Sequence, residues 1–323
     1  MDTRFSFLTG VLMLLLSGIW VGCQRTEEPV FPRTVHLTAE KIPLNQIAYP
    51  EVITLADGYF VFTCSQTDSL IYFYTVPDLQ FVGKGGRKGE GPGEFLSFAN
   101  FCGNREGRLI LLGFPSRNFR QAHLDSTGRM VWGDWYKFDS FDALNWPRII
   151  GDSLLVYSTL FNIKKYDLKN GKPLGEVFML EPGEKRSTMT PNMGYIAAND
   201  TSVVYAYSYK NRFDLFDIST LKLKKSVIGP GKTQIEQGSS GTTTRYYIYP
   251  FATESRFYLL KAAKDRKPDE YKVTMQVFDN DANPVVEYTF DIGPGAFVVD
   301  EDNGYIYSFN GLYEDFLLRY KLL

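Results

Sequence analysis

Histidine is nearly missing from this chain: His36 and His123 are the only two among 323 residues. Zinc sites and serine–histidine or cysteine–histidine catalysis need a larger donor set than that. Cysteine is almost as scarce, and Cys23, Cys64 and Cys102 fall in no CxxC or Cys/His grouping. The sequence has no long run of like charge, and 35 basic against 37 acidic residues leave a net charge of −2. It therefore lacks the cationic stripe that a phosphate backbone requires, and nucleic acid is not an expected partner. After the N-terminus no heptad pattern, long amphipathic helix or bilayer-length apolar run occurs.

What is present divides unevenly. Arg4 precedes an almost uncharged apolar stretch, Phe5 to Val21, which ends in Gly22-Cys23. That is the pattern of a secretion signal. Trp20-Val21-Gly22-Cys23 resembles a bacterial lipobox, with Trp20 where that pattern carries Leu. The resemblance implies a signal peptide over 1–22, a lipidated Cys23 as the first mature residue, and export to the cell envelope, expected at the outer membrane. An ordinary signal peptide or an uncleaved anchor are the alternatives. Residues 23–33, with two prolines and two glutamates, are then expected to form a flexible tether. In an oxidising compartment Cys64 and Cys102 either pair or stay as buried thiols, since sequence gives no distance between them.

From residue 34 onward, short runs of β-branched and aromatic residues alternate with Gly, Asn, Asp and Pro turns, the pattern of an all-β chain. The runs repeat. Tyr74, His123, Tyr166, Phe216, Phe278 and Tyr320 mark the ends of six equivalent strands, 49, 43, 50, 62 and 42 residues apart. Turns such as Asp125-Ser126-Thr127-Gly128 and Lys169-Asn170-Gly171 follow most of them. Four-stranded propeller blades have this period. The sixth unit stops after its third strand at Leu323, while Thr34 to Leu44 is a spare strand-like segment at the other end. Residues 34–323 are thus expected to form a six-bladed β-propeller closed by an N-terminal strand in the last blade, which removes an exposed sheet edge.

The junction Gly85-Gly86-Arg87-Lys88-Gly89-Glu90-Gly91-Pro92-Gly93-Glu94-Phe95 resembles the blade link of NHL-like propellers. It is similar, more closely, to the six-bladed TolB-like propeller lipoproteins of Gram-negative bacteria. Partial echoes stand at Glu181-Pro182-Gly183-Glu184, Gly229-Pro230-Gly231 and Gly293-Pro294-Gly295-Ala296-Phe297. Propellers of this kind carry many unrelated activities, so the resemblance implies a fold and leaves the function open.

Individual motifs have plain structural readings. The glycine run 83–93 lacks a GK[ST] ending and is expected to be a blade link rather than a phosphate cradle. Asp300-Glu301-Asp302-Asn303-Gly304 lacks the later carboxylate of an EF-hand and is expected to be a hairpin turn. Tyr205, Tyr207 and Tyr209 alternate on one sheet face and are expected to pack between blades, with stacking on a sugar or peptide as the alternative. No constellation of Asp, Glu and Asn stands out at matching blade positions, so no metal site, cofactor or catalytic residue is assigned.

Loops between second and third strands share one end of a propeller with the blade links, and binding residues collect on loops. Arg117, Asn162, Tyr209, Arg212 and Tyr313 are therefore the candidate ligand-binding residues, offering planar donors, an amide and stacking faces. The expected function is a non-catalytic envelope lipoprotein that binds a protein partner, peptide or glycan. A metal-dependent hydrolase or lyase using the central channel is the alternative.

Overall fold

The computed structural model describes residues 28–44, 50–91, 94–95, 100–105, 108–113, 118–138, 140, 142–159, 162–179, 190–231, 245–262, 272–313 and 316–322. Two short strands come first, β1 (Thr34–Leu37) and β2 (Glu40–Pro43). Blade 1 comprises β3 (Val52–Ala56), β4 (Tyr59–Thr63), β5 (Ser69–Thr75) and β6 (Phe81–Arg87). Blade 2 comprises β7 (Asn100–Arg105), β8 (Arg108–Leu112), β9 (Asn118–Leu124) and β10 (Met130–Lys137). Blade 3 follows with β11 (Asn145–Ile150), β12 (Leu154–Ser158), β13 (Asn162–Asp167) and β14 (Lys172–Phe178). Blade 4 holds β15 (Gly194–Ala198), β16 (Ser202–Tyr207), β17 (Arg212–Asp217) and β18 (Leu223–Ile228). Blade 5 holds β19 (Tyr247–Ala252), β20 (Arg256–Ala262), β21 (Val273–Asp279) and β22 (Pro284–Phe290). Blade 6 has β23 (Ala296–Asp300), β24 (Tyr305–Phe309) and β25 (Phe316–Lys321).

Each blade is an antiparallel sheet in chain order, and the first strands of neighbouring blades meet around the centre. The six-bladed propeller expected from the repeat is present, and all six marker residues lie on third strands. In blades 1, 3, 4 and 5 the pairing register slips at the marker itself, between Phe73/Tyr74, Lys165/Tyr166, Leu215/Phe216 and Val277/Phe278. A β-bulge at a fixed point sharpens the local twist as the chain turns into the outer strand.

The N-terminal segment does more than expected. β2 pairs antiparallel with β25 and supplies the fourth strand of blade 6. β1 instead runs parallel to β22, so blade 5 gains a fifth strand. The spare segment thus joins two blades, since Leu37 packs with residues of blades 5 and 6.

The expected tether is also not free over its described part. Phe31 stacks edge-on against Phe278 at 5.4 Å. The Arg33 carbonyl accepts from the Glu287 amide at 3.1 Å. Glu28 Oε2 lies 3.1 Å from Lys261 Nζ, and Glu28 Oε1 accepts from Asn211 Nδ2 at 2.9 Å. Gln24 to Glu27 lie outside the described residues.

Six apolar clusters of the described core fall at the six blade interfaces. Ile71, Phe73, Phe95 and Leu111 fill blades 1–2, while Leu112, Phe119, Leu155 and Tyr157 fill blades 2–3. Phe60, Phe62, Tyr307 and Leu317 join blade 6 to blade 1. Each aromatic buried in this way contributes roughly 1.5–3 kcal/mol. Tyr205 and Tyr207 are buried with ring centroids 4.9 Å apart in the blade 3–4 cluster, as expected, whereas Tyr209 is half exposed.

The glycine run behaves as a strand and link. Gly86 takes φ of +68°, and Phe95 after the link is buried against Trp132 at 5.7 Å. Cys64 is buried and free, so it makes no disulfide; the Cys102 side chain lies outside the described residues.

Candidate functional site

Alternating strand direction sorts the connections into two ends. First–second and third–fourth hairpins emerge at one, here called the turn end. Second–third loops and blade links emerge at the other, the link end. The described candidate residues of the sequence reading belong to the link end. Arg117 lies outside the described residues. Asn162, at the start of β13, is buried and donates to Glu176 Oε2 at 2.7 Å. Arg212 Nε donates to Asp214 Oδ1 at 2.8 Å, and its guanidinium lies 5.3 Å from the Tyr207 ring. Asp214, almost fully buried, also accepts from Tyr207 Oη at 2.9 Å and Ser226 Oγ at 2.7 Å. Burial and this carboxylate push the Tyr207 hydroxyl far up from its usual range. Arg212 is thereby built into the sheet of blade 4. Tyr209 lies in the β16–β17 loop, and Tyr313 lies beneath Lys41, whose Nζ is 4.5 Å from the ring centroid. These four sit on three blades, and none of them lines the central channel.

That channel is a cavity of about 1350 Å³ bounded by the inner strands and by first–second hairpins. It is roomier than the common range for small-ligand pockets, about 300–1,000 Å³. Its charge is one-sided. Among the described lining residues, Glu51, Asp57, Asp152, Asp200, Glu254, Asp300, Glu301 and Asp302 carry carboxylates, and Arg148 alone is basic. Seven of these eight acids stand at first–second hairpins, in blades 1, 3, 4, 5 and 6. Acidic groups therefore do recur at matching blade positions, contrary to the sequence reading. Each turn taken singly is an ordinary hairpin: Asp57-Gly58 with φ of +52° and +72°, and Asp300 accepting from the Asn303 amide at 3.1 Å. The turn reading of 300–304 holds, and the ring emerges only when the blades close. Glu301 is engaged within its own rim, accepting from Tyr258 Oη at 2.7 Å. Asp57, Asp152, Asp200, Glu254 and Asp302 are exposed. Among the described residues, no three His, Cys, Asp or Glu side chains approach closely enough to hold a metal ion.

Away from the ring, toward the link end of the channel, the wall is partly aromatic. Trp146 on β11 lines the channel, meets Tyr195 of blade 4 at 5.0 Å and Tyr249 of blade 5 at 5.4 Å, and is held at φ of +53°. A bulky residue at positive φ is a genuine outlier, costing on the order of 1–3 kcal/mol. Its local cause is a bulge. Asn145 pairs with Ser158 and Arg148 with Val156, so Trp146 and Pro147 together face Tyr157. Proline has no amide to give the ladder, and the extra residue takes it out of pairing. The bulge re-aims Trp146 and sets Arg148 beside it, with Arg148 Nη1 donating to the Pro147 carbonyl at 3.0 Å. The Asn-Trp-Pro-Arg sequence was the available signal for this feature, as a proline inside an inner strand calls for a bulge.

Comparison with known proteins finds no matching family model and no matching curated relative.

Proposed function

We propose that this chain is a non-catalytic, lipid-anchored envelope protein, similar to TolB-like and NHL-like propellers, whose channel receives a positively charged segment of a protein or peptide partner. The observation that carries the reading is the ring of hairpin carboxylates around a channel lined by the strained Trp146. Carboxylates on a low-dielectric wall focus the field and raise the local concentration of cations. An aromatic face at the far end of the channel from them stabilises a lysine or arginine head that reaches it by about 0.5–2 kcal/mol. Backbone strain at Trp146 fits a side chain held in place for contact with a ligand. The anchor at Cys23 and residence at the outer membrane are part of this proposal, supported by the lipobox-like Trp20-Val21-Gly22-Cys23.

Titration of the mature protein with Lys/Arg-rich, neutral and acidic peptides of equal length tests it, with uncharged oligosaccharides as a fourth series. Binding is expected for the basic series alone, weakened about tenfold or more by Trp146→Leu, as for a buried aromatic anchor. Equal binding of neutral or acidic peptides, or preference for the oligosaccharides, would refute the cationic-ligand reading.

A further inference from the structure

Chain length and the docking of Glu28 together fix more than the existence of an anchor. We infer that, given the lipidated Cys23 of the preceding section, the protein sits with its link end and the blade 4–5 edge toward the membrane and its acidic channel mouth toward the aqueous side.

The geometry begins at Glu28. Its carboxylate is shared between Lys261, near the end of β20 in blade 5, and Asn211, in the β16–β17 loop of blade 4. The Lys261 side chain is 5% exposed, so the ion pair is partly withdrawn from solvent. Asn211 Nδ2 also donates to the Pro230 carbonyl in the link between the two blades, at 2.9 Å. Lys261, Asn211 and Pro230 all belong to the link end. From there Phe31 enters the blade 4–5 cluster, Arg33 bonds Glu287, and β1 is zipped to β22. The chain is thus fastened to the propeller from Glu28 onward.

Cys23 precedes Glu28 by five residues. Five residues span at most about 18 Å even when fully extended. The acidic hairpin residue Glu254 is seven residues from Lys261 across β20, and at about 3.3 Å per residue this places it roughly 23 Å away, at the opposite end of the strand. An anchor attached at the link end with so short a reach holds that end against the bilayer. Electrostatics act in the same direction, because anionic headgroups repel the ring formed by Asp57, Asp152, Asp200, Glu254 and Asp302. The consequence for the proposed function is direct: the channel mouth is presented to a partner approaching from the aqueous compartment.

The test uses the lipidated protein, purified from membranes in detergent and reconstituted into phosphatidylcholine–phosphatidylglycerol vesicles carrying headgroup nitroxide lipids. A fluorophore is placed on Arg245→Cys at the link end or on Asn170→Cys at a third–fourth hairpin of the turn end. Both positions are exposed and outside the channel lining. Quenching is expected to be several-fold stronger at position 245 than at 170. Inserting twenty Gly/Ser residues between Glu27 and Glu28 lengthens the connection by an r.m.s. distance of about 25 Å and should erase the difference. Equal quenching of the two labels without the insertion, stronger quenching at 170, or a difference that survives the insertion would each overturn the orientation. A protein that does not incorporate into vesicles at all would remove the lipid anchor, and the orientation with it.

Discussion

Gly83 illustrates how little room the outer strands leave. A Cβ added there would stand 2.4 Å from the backbone oxygen of Gly128, which is in the hairpin of the neighbouring blade and has φ of +76°. Backbone cannot swing aside as a flexible side chain can. Gly83→Ala should therefore lower the denaturant midpoint by an amount equivalent to about 1–3 kcal/mol, the usual cost of overpacking. An unchanged midpoint would mean that blades 1 and 2 are not in contact there. The same hairpins are fixed by side-chain caps. Asp217 accepts from Ser219 Oγ at 2.6 Å, Thr220 Oγ1 at 2.7 Å and the Thr220 amide at 2.8 Å, and these bonds hold its carboxyl at about 2. Asp167, capped by Asn170, and Asp125, capped by Thr127, are lowered for the same reason. A carboxyl depressed in the folded state stabilises it above the unfolded value and loses that contribution as pH falls through the folded one. The stability curve should thus decline between about pH 4 and pH 2, and Asp217→Asn should flatten the decline in that window. Denaturant midpoints at pH 5 and pH 2.5 measure this, and an identical slope in the variant would rule the cap out as a source of the pH dependence.

Among the elements, β1 and β2 separate two jobs that the sequence merges in one segment. β2 covers β25 and brings Ile42 against the blade 6–1 cluster, so without it Leu317 and Leu318 would lie on a bare edge strand. β1 is a fifth strand on a blade already complete. A chain beginning at Leu44 should therefore aggregate, because an open edge templates pairing with other copies. A chain beginning at Glu40 should remain monomeric in size-exclusion chromatography. If both truncations elute as monomers with equal Tm, β2 is not the closing strand. The blade repeat was legible because most third-strand markers stand at the same place before a bulge or an Asp-capped turn, local features that recur in several of the units. The channel was not legible. Asp57, Asp152, Asp200 and Glu254 each stand in a different hairpin that needs no explanation, and only closure of six blades brings them to one rim. Arg212 shows the same limit from the other side, because its pairing with Asp214 inside blade 4 becomes visible only in the fold.

At the scale of the whole molecule, the two ends of the propeller differ in what they carry. The link end carries the blade links and the docked Glu28, and the turn end carries the acid ring. Long-range attraction from that ring is screened over about 10 Å at 0.1 M ionic strength, so association with a basic peptide should slow steeply as salt is added while dissociation changes little. Stopped-flow measurements across salt concentrations check this, and a salt-independent association rate would count against steering by the ring. The proposed membrane attachment in turn rests on one residue, Cys23. No helix among the described residues is long and apolar enough to cross a bilayer. Acyl chains on a single cysteine contribute roughly 0.8 kcal/mol per buried methylene, enough for two or more chains to hold a soluble domain durably. If the proposed anchor is present, Cys23→Ala removes the atom that would carry the acyl chains while leaving the propeller and the Glu28–Lys261 pair intact. The variant should appear in the soluble fraction after cleavage or accumulate as an uncleaved precursor, distinguishable by mass. A cleaved Cys23→Ala protein that still sediments with membranes and resists high-salt extraction would place the attachment on another part of the chain.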